Sequence, residues 1–233
     1  MKDTIAISEV FGPVLQGEGA LIGKPTVFVR TGGCDYQHCA WCDTLYAVLP
    51  EHRHEWLPMT PPAILDEVLR LARGHPILVT LSGGNPALQP LEPLIDLGHA
   101  HQLTFALETQ GSVARSWFAK LDYLVLSPKP PSSGMKTNWR RLEECIAAAG
   151  PGTHTVLKVV VFDEADYQYA RRVGAKFPSI PLYLQVGNPT PPGDDAIPAE
   201  PDVPGLLARL AWLGGRVIAD GWNEATVLPQ LHV

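Results

Sequence analysis

The sequence lacks the features that mark two large classes of protein. It has no dense block of lysine and arginine, and its formal net charge is -6 at pH 7, so it does not offer the positive surface of a general nucleic-acid binder. It also has no run of about 18 apolar residues that could cross a bilayer, and its first residues do not resemble a secretion signal. We therefore expect a cytoplasmic protein that binds neither nucleic acid nor membranes.

Cysteine is scarce, with four residues in a chain of 233. Three of them, Cys34, Cys39 and Cys42, lie so close together that disulfides between them would close only very small loops, which stabilise little. A secreted disulfide scaffold is therefore not indicated. Hydrophobic residues make up 45% of the chain and charged residues 18%, which is typical of a packed globular protein. We predict a single domain over residues 1–233.

Short β-branched and apolar segments alternate with segments of helical apolar spacing. Helices are predicted from Pro61, after the N-cap Thr60, to Gly74, and over Leu91–Ala100, Trp139–Ala149, Glu164–Ala175 and Val203–Leu213. Strands are predicted at Pro25–Arg30, Ile77–Leu81, Thr104–Glu108, Tyr123–Leu126, Val156–Val161 and Leu182–Val186. Segment Thr190–Pro204 is predicted to be a surface loop. This alternation predicts an α/β fold, a partial, open barrel of about six parallel strands with helices outside, and a site at the carboxyl ends of the strands.

The three clustered cysteines predict a metal site. An iron-sulfur cubane held by only three protein thiolates would leave one iron open to a small molecule. Structural zinc is an alternative, with His38 or Cys145 as the fourth ligand, and unliganded thiols are another. Cys145 lies in a predicted helix, where a lone cysteine is usually a small core residue.

Two motifs resemble the radical S-adenosylmethionine (SAM) superfamily, in which three close cysteines hold a 4Fe-4S cluster and SAM binds its unique iron. Cys34-Asp-Tyr-Gln-His-Cys39-Ala-Trp-Cys42 is similar to the superfamily's Cys-x3-Cys-x2-Cys, with four residues in the first gap instead of three. Ser82-Gly83-Gly84-Asn85-Pro86 resembles the Gly-Gly-Glu-Pro segment that holds the SAM ammonium group. Asn85 replaces the acid, so its amide oxygen would accept a hydrogen bond without a full charge. Read alone, the glycine pair also fits a plain turn.

The segment from Glu9 to Gly19, Glu-Val-Phe-Gly-Pro-Val-Leu-Gln-Gly-Glu-Gly, resembles the family of 7-carboxy-7-deazaguanine synthases, as does Gly23–Arg30. The resemblance implies a pterin substrate and places Arg30 as the anchor of its carboxylate, because a guanidinium binds a carboxylate through two hydrogen bonds. A solvated charge at a strand end is the alternative reading of Arg30. The other substrate contacts that the resemblance implies are Leu15, Gln16, Gly17 and Ser82.

Cys42-Asp43-Thr44 resembles the Cys-Asp-Thr of this family, in which the hydroxyl is associated with Mg²⁺. Thr44 could otherwise cap the following turn. The resemblance further implies a SAM pocket formed by Trp41, Cys42, Asp43, Gly84, Asn85, Ser127, Pro128, Lys129, Gln185 and Asn188. Glu108 is a secondary candidate that could equally be a structural residue at a strand end.

The implied reaction is a ring contraction. Reductive cleavage of SAM would give a 5′-deoxyadenosyl radical that takes hydrogen from C6 of 6-carboxy-5,6,7,8-tetrahydropterin, and the ring would rearrange, losing ammonia, to 7-carboxy-7-deazaguanine. A homodimer and a reductant such as flavodoxin are implied as well. Two other functions stay open at this point: an activating protein for glycyl-radical enzymes, and a non-catalytic zinc or iron-sulfur module. The segment Val227–Val233 resembles the start of the family's final segment, which can reach the substrate.

Overall fold

The computed structural model describes residues 4–36, 39–189 and 202–231. The strands are β1 (Ile5–Leu15), β2 (Pro25–Thr31), β3 (Leu57–Met59), β4 (Leu78–Gly83), β5 (Thr104–Thr109), β6 (Tyr123–Leu126), β7 (His154–Val161), β8 (Leu182–Val186) and β9 (Ala225–Leu228). The α-helices are α1 (Leu45–Val48), α2 (Pro61–Leu71), α3 (Glu92–Ala100), α4 (Trp139–Ala147), α5 (Glu164–Lys176) and α6 (Val203–Ala219).

All of these strands form one open sheet, in the order β3-β1-β2-β4-β5-β6-β7-β8-β9. The strands from β2 and β4 through to β9 run parallel, and β1 pairs antiparallel with both β2 and β3. The predicted open, parallel α/β fold is therefore confirmed. The parallel part has one strand more than the six predicted, β9, and an antiparallel edge is added beside β2.

Burial explains why the central strands form. Leu81 in β4, Leu107 in β5 and Leu157 in β7 are all 0% exposed and belong to one apolar core. Helices α2, α4, α5 and α6 start at capping side chains. At α2, Thr60 Oγ1 accepts a hydrogen bond from the backbone N–H of Ala63 at 3.4 Å. This packing fixes the strand ends, on which the site depends.

Each predicted strand and helix has a counterpart, with small differences at the ends. Helix α6 continues to Ala219 instead of stopping at Leu213, because the helix runs through Gly214 and Gly215 without a break. Only a short 3₁₀ turn, Ser116–Lys120, connects β5 to β6. Of the predicted loop Thr190–Pro204, residues 190–201 lie outside the described residues, and its last residues already belong to α6. Within the described ranges, no helix is both long and apolar enough to cross a membrane.

Candidate active site

A cavity of about 690 Å³ opens at the carboxyl ends of the parallel strands. Its volume is in the range of small-molecule and cofactor pockets. It collects most of the residues that the sequence singled out, although they come from distant parts of the chain. The predicted residues that line it are Leu15, Gln16, Gly17, Arg30, Cys34, Cys39, Trp41, Cys42, Asp43, Thr44, Ser82, Gly84, Ser127, Lys129 and Asn188, whereas Asn85, Pro128 and Gln185 do not.

The glycine pair after β4 lets this strand end lie against the start of the cysteine loop. Gly83 has a φ of +129°, and a Cβ on it would lie 2.1 Å from the carbonyl oxygen of Thr31. A Cβ on Gly84 would lie 2.2 Å from the carbonyl oxygen of Gly33. The backbone N–H groups of Gly84 and Asn85 donate to the same two oxygens at 3.1 and 2.8 Å. The glycines are therefore required by this close approach and do more than form a turn.

The thiols of Cys34, Cys39 and Cys42 are free, partly buried and face the same cavity. Burial raises the pKa of each thiol, to about 11 for Cys34, and the nearby charge of Lys129 opposes this effect at all three. Three soft thiolates on one cavity fit an iron-sulfur cluster by donor type. In the described ranges, no three His, Cys, Asp or Glu side chains are grouped closely enough to hold a metal ion, so the fit to a cluster rests on the type of donor.

The fourth cysteine does not join this group. Cys145 is 0% exposed within α4 and does not line the cavity, as expected of a core residue. His38, the other ligand considered for zinc, lies outside the described residues. Within the described part of the chain, the thiols that line the cavity are therefore those of Cys34, Cys39 and Cys42.

Asn85 lies behind the cavity wall and is 0% exposed. Its Oδ1 accepts hydrogen bonds from Thr109 Oγ1 at 2.8 Å and from the backbone of Ala87 at 3.2 Å. Its Nδ2 donates to Asp35 Oδ1 at 2.8 Å, and Gln110 Nε2 donates to the same oxygen at 2.7 Å. Both lone pairs of the Asn85 oxygen are thus used inside the protein, and the residue holds Asp35, beside the first cysteine. The contact between Asn85 and SAM stays a prediction.

Gln185 is also 0% exposed and is used internally. Its Oε1 accepts from the backbone N–H of Gly19 at 3.1 Å, and its Nε2 donates to the carbonyl oxygen of Pro229. It therefore joins the first and last described segments of the chain at one edge of the cavity. The contact between Gln185 and SAM stays a prediction. Pro128 is buried between two residues that do line the cavity, Ser127 and Lys129.

Thr44 connects Arg30 to Asp43 on one side of the cavity. Arg30 Nη1 donates to Thr44 Oγ1 at 3.3 Å, and this hydroxyl donates to Asp43 Oδ1 at 2.6 Å. Thr44 stands at the N-cap position of α1, but its side chain makes no capping hydrogen bond. The Thr44 hydroxyl therefore forms hydrogen bonds with the site residues Arg30 and Asp43 and does not cap the helix.

Lys158 is the main site residue that the sequence reasoning missed. It is 5% exposed, forms an ion pair with Glu18 and has its Nζ 3.8 Å from Glu108 Oε1. Gln16 Nε2 donates to the same oxygen of Glu108 at 3.2 Å. Burial alone would lower the pKa of Lys158, but Glu108 and Glu18 outweigh it and the pKa is raised. The available signal was a lysine inside a strand of valines and leucines, since a charge on a buried strand needs partners.

Three buried side-chain atoms in the described ranges have no hydrogen-bond partner: Arg30 Nε, Ser82 Oγ and Gln230 Oε1. All three residues line the cavity. A buried polar atom without a partner costs about 1–3 kcal/mol, and such atoms are rare in native proteins. Their concentration in one cavity indicates that a polar ligand completes it.

The chain resembles known proteins over nearly its full length. It is 41% identical to the 7-carboxy-7-deazaguanine synthase of Bacillus cereus, with 98% of this chain and 94% of that protein covered. It is 40% identical to the 7-carboxy-7-deazaguanine synthase of Bacillus subtilis, with 100% and 96% covered. The crystal structure of QueE from Escherichia coli has a similar fold, with a TM-score of 0.69 at 22% identity, covering 97% of this chain and 94% of that one. No protein-family model matches. By its full-length relatives, the chain belongs to the 7-carboxy-7-deazaguanine synthase family.

Proposed function

We propose that this protein is a radical SAM lyase that converts 6-carboxy-5,6,7,8-tetrahydropterin to 7-carboxy-7-deazaguanine with loss of ammonia, in 7-deazapurine biosynthesis of the queuosine type. One observation supports this most directly: three unpaired buried polar atoms and three thiols face the same cavity. The identity of about 40% to two synthases over the full length supports the same reaction.

The cofactors of this chemistry are a 4Fe-4S cluster and SAM. Cys34, Cys39 and Cys42 would hold the cluster, which supplies the one-electron cleavage of SAM when both are bound. The described residues around the thiols would bind and orient SAM. Lys129 Nζ lies 4.9 Å from the ring of Trp41, and Trp41 Nε1 donates to Ser132 Oγ at 3.0 Å, so the ring next to the thiols has a fixed orientation.

The substrate would lie between the two charged ends of the cavity. Arg30 is proposed to bind its carboxylate, while Leu15, Gln16 and Gly17 contact the ring and Ser82 offers its unpaired hydroxyl. On the opposite side, Lys158 holds Glu18 and Glu108 as charged acceptors. A pterin presents several N–H donors along one edge, which these carboxylates could accept. The chain thus orients the ring and excludes water.

We also propose Mg²⁺ at Thr44 and Asp43, whose oxygen atoms suit this ion. Mg²⁺ usually keeps several waters and takes further oxygens from the substrate, so its binding should depend on the substrate. Titration with Mg²⁺ in the presence and absence of 6-carboxypterin tests this dependence, and equal affinity in both conditions would contradict it.

The deciding experiment is anaerobic incubation of reconstituted protein with reductant, SAM, Mg²⁺ and 6-carboxy-5,6,7,8-tetrahydropterin. Mass spectrometry should detect the deazapurine acid, and Arg30→Ala should lower its yield while iron binding stays intact. Cleavage of SAM without the deazapurine would point to another substrate, such as the polypeptide partner of a glycyl-radical activating protein. Stoichiometric zinc without sulfide would favour a structural metal module instead.

We further propose that the protein acts as a cytoplasmic homodimer that receives its electron from a reductant such as flavodoxin. Exposed apolar side chains on α6, among them Leu207 and Ile218, support a second copy on this face. Light scattering after size exclusion tests the dimer, and a monomer at micromolar concentration would refute it.

A further inference from the structure

The position of Arg30 is determined by the pairing of β1 and β2. Glu9 and Arg30 are direct cross-strand partners, and so are Phe11 and Phe28. Because alternate residues of a strand share a face, these four side chains project from the same side of the sheet. The two phenyl rings stack with centroids 5.1 Å apart and an interplanar angle of 7°. Arg30 therefore stands at the end of an aromatic wall of the cavity.

The guanidinium of Arg30 is confined on several sides. Its Cζ lies 5.3 Å from the ring centroid of Phe11 and 5.8 Å from that of Tyr46. Its Nε lies 2.7 Å from Glu9 Oε1, and only 19% of its side chain is exposed. Arginine loses considerable rotamer entropy when it binds a ligand from a mobile state. Confinement before binding lowers that cost.

Tyr46 completes the arrangement from α1, the helix that follows the cysteine loop. Its hydroxyl donates to Glu9 Oε1 at 2.7 Å, the same oxygen that faces Arg30. Its backbone carbonyl accepts a hydrogen bond from Trp56 Nε1 at 2.8 Å. Glu9 Oε1 is thus held by the Tyr46 hydroxyl while it faces Arg30.

Glu9 holds Arg30 without using its hydrogen-bond donors. Although Nε and Glu9 Oε1 are close, Nε makes no hydrogen bond to any residue in the described ranges. The attraction is therefore one of charge and does not depend on a hydrogen bond between the two side chains. A carboxylate can bind an arginine through two parallel hydrogen bonds if the guanidinium, whose paired N–H groups form a fork, is correctly oriented.

We propose that Glu9 and Tyr46 are positioning residues that hold the Arg30 fork ready for a substrate carboxylate and so make the site selective for carboxylated pterins. The proposal rests on the proposed function, because it assigns the carboxylate end of that substrate. Glu9 and Tyr46 act through Arg30 and need not touch the substrate.

The test measures binding of two fluorescent probes, 6-carboxypterin and pterin, to the anaerobically reconstituted protein with SAM. The wild type should bind 6-carboxypterin more tightly. Tyr46→Phe removes only the hydroxyl and should reduce this preference about fivefold, the effect of one hydrogen bond, and Glu9→Gln should reduce it at least as much. Affinity for pterin, SAM affinity and iron content should not change. In turnover, KM for the carboxylated substrate should rise with kcat nearly constant.

Two matched variants separate positioning from general damage. Tyr123→Phe changes a tyrosine that stacks on His154 away from the cavity, and Glu67→Gln changes a glutamate paired with Arg70 on α2. Both should keep the wild-type preference. The proposal is overturned if Tyr46→Phe and Glu9→Gln also keep it, if they weaken both probes equally, or if they bind 6-carboxypterin more tightly. A wild type without any preference would instead refute the proposed substrate and the inference with it.

Discussion

Replacing Lys158 by methionine should strongly destabilise the protein, because it leaves two carboxylates facing each other in a buried site. Lys158 is 5% exposed and contacts both Glu18 and Glu108. Removing one partner of a buried ion pair costs about 3–5 kcal/mol, since the remaining charge has lost its compensation. For a chain of this length, each kcal/mol corresponds to about 2–4 °C in Tm. The expected decrease in Tm is therefore on the order of 10 °C.

Thermal unfolding of the metal-free protein, followed by circular dichroism at pH 8, measures this effect without the cofactors. Lys120→Met is the matched control, because Lys120 also contacts two carboxylates, Glu92 and Asp96, but on the surface. Surface ion pairs contribute little, so the control should unfold close to the wild type. Equal losses in the two variants would refute the argument from burial.

The pH dependence gives a second check. In Lys158→Met, Glu18 and Glu108 share a buried site, so the pKa of one carboxyl is raised and it takes up a proton in mild acid. The deficit in stability should therefore shrink from pH 8 to pH 5.5. In the wild type the pKa of Lys158 is raised, so its contribution is fully present below the unfolded value of about 10.4 and is lost only at higher pH. A deficit that is the same at pH 8 and pH 5.5 would contradict the uncompensated-carboxylate explanation.

Three further changes test other parts of the site. Cys39→Ser should lower the iron and sulfide bound on reconstitution and abolish SAM cleavage. Cys145→Ala, at a thiol buried in α4, should keep the wild-type iron and sulfide content and SAM cleavage. Equal iron in the two variants would exclude Cys39 as a ligand. Asn85→Asp should cost about 1–3 kcal/mol in urea unfolding at pH 7, because a carboxylate would replace the amide that donates to Asp35; an unchanged midpoint would refute this. Gly84→Ala should cost about 1–3 kcal/mol, since its Cβ would lie 2.2 Å from a backbone oxygen; wild-type stability would show that the loop can move away.

The parallel part of the fold could be predicted because its strands are short, mostly apolar segments with buried leucines and valines. Tyr123–Leu126 and Leu182–Val186 match the structure at both ends. Strand β1 escaped prediction because only its first residues are buried, and the rest, from Ser8 to Leu15, is partly or fully exposed. Its polar positions and the Gly12-Pro13 pair hide the strand pattern. Strand β9 is a short edge strand with no fully buried residue, and edge strands carry a weak apolar signal.

The site was predictable where a motif is local and not where it depends on distant pairing. The cysteines and the glycine pair each lie within a few positions, and the structure places most of them on the cavity. Lys158 forms an ion pair with Glu18, which is 140 residues away in the sequence. The sequence around either residue does not predict this pairing. Asn85 is a similar case, since its local motif predicts a SAM contact but does not predict its hydrogen bonds to Asp35 and Thr109, which lie far along the chain.

The long separation between the two sides of the cavity has a consequence during protein synthesis. The cysteine loop leaves the ribosome early, whereas the hydrogen bond from Gly19 to Gln185 spans 166 residues and that from Gln230 to Glu18 spans 212. The wall that carries Glu18 can close only when almost the entire chain has been translated. A metal cluster inserted into the nascent chain would face water on that side, so its insertion should follow translation.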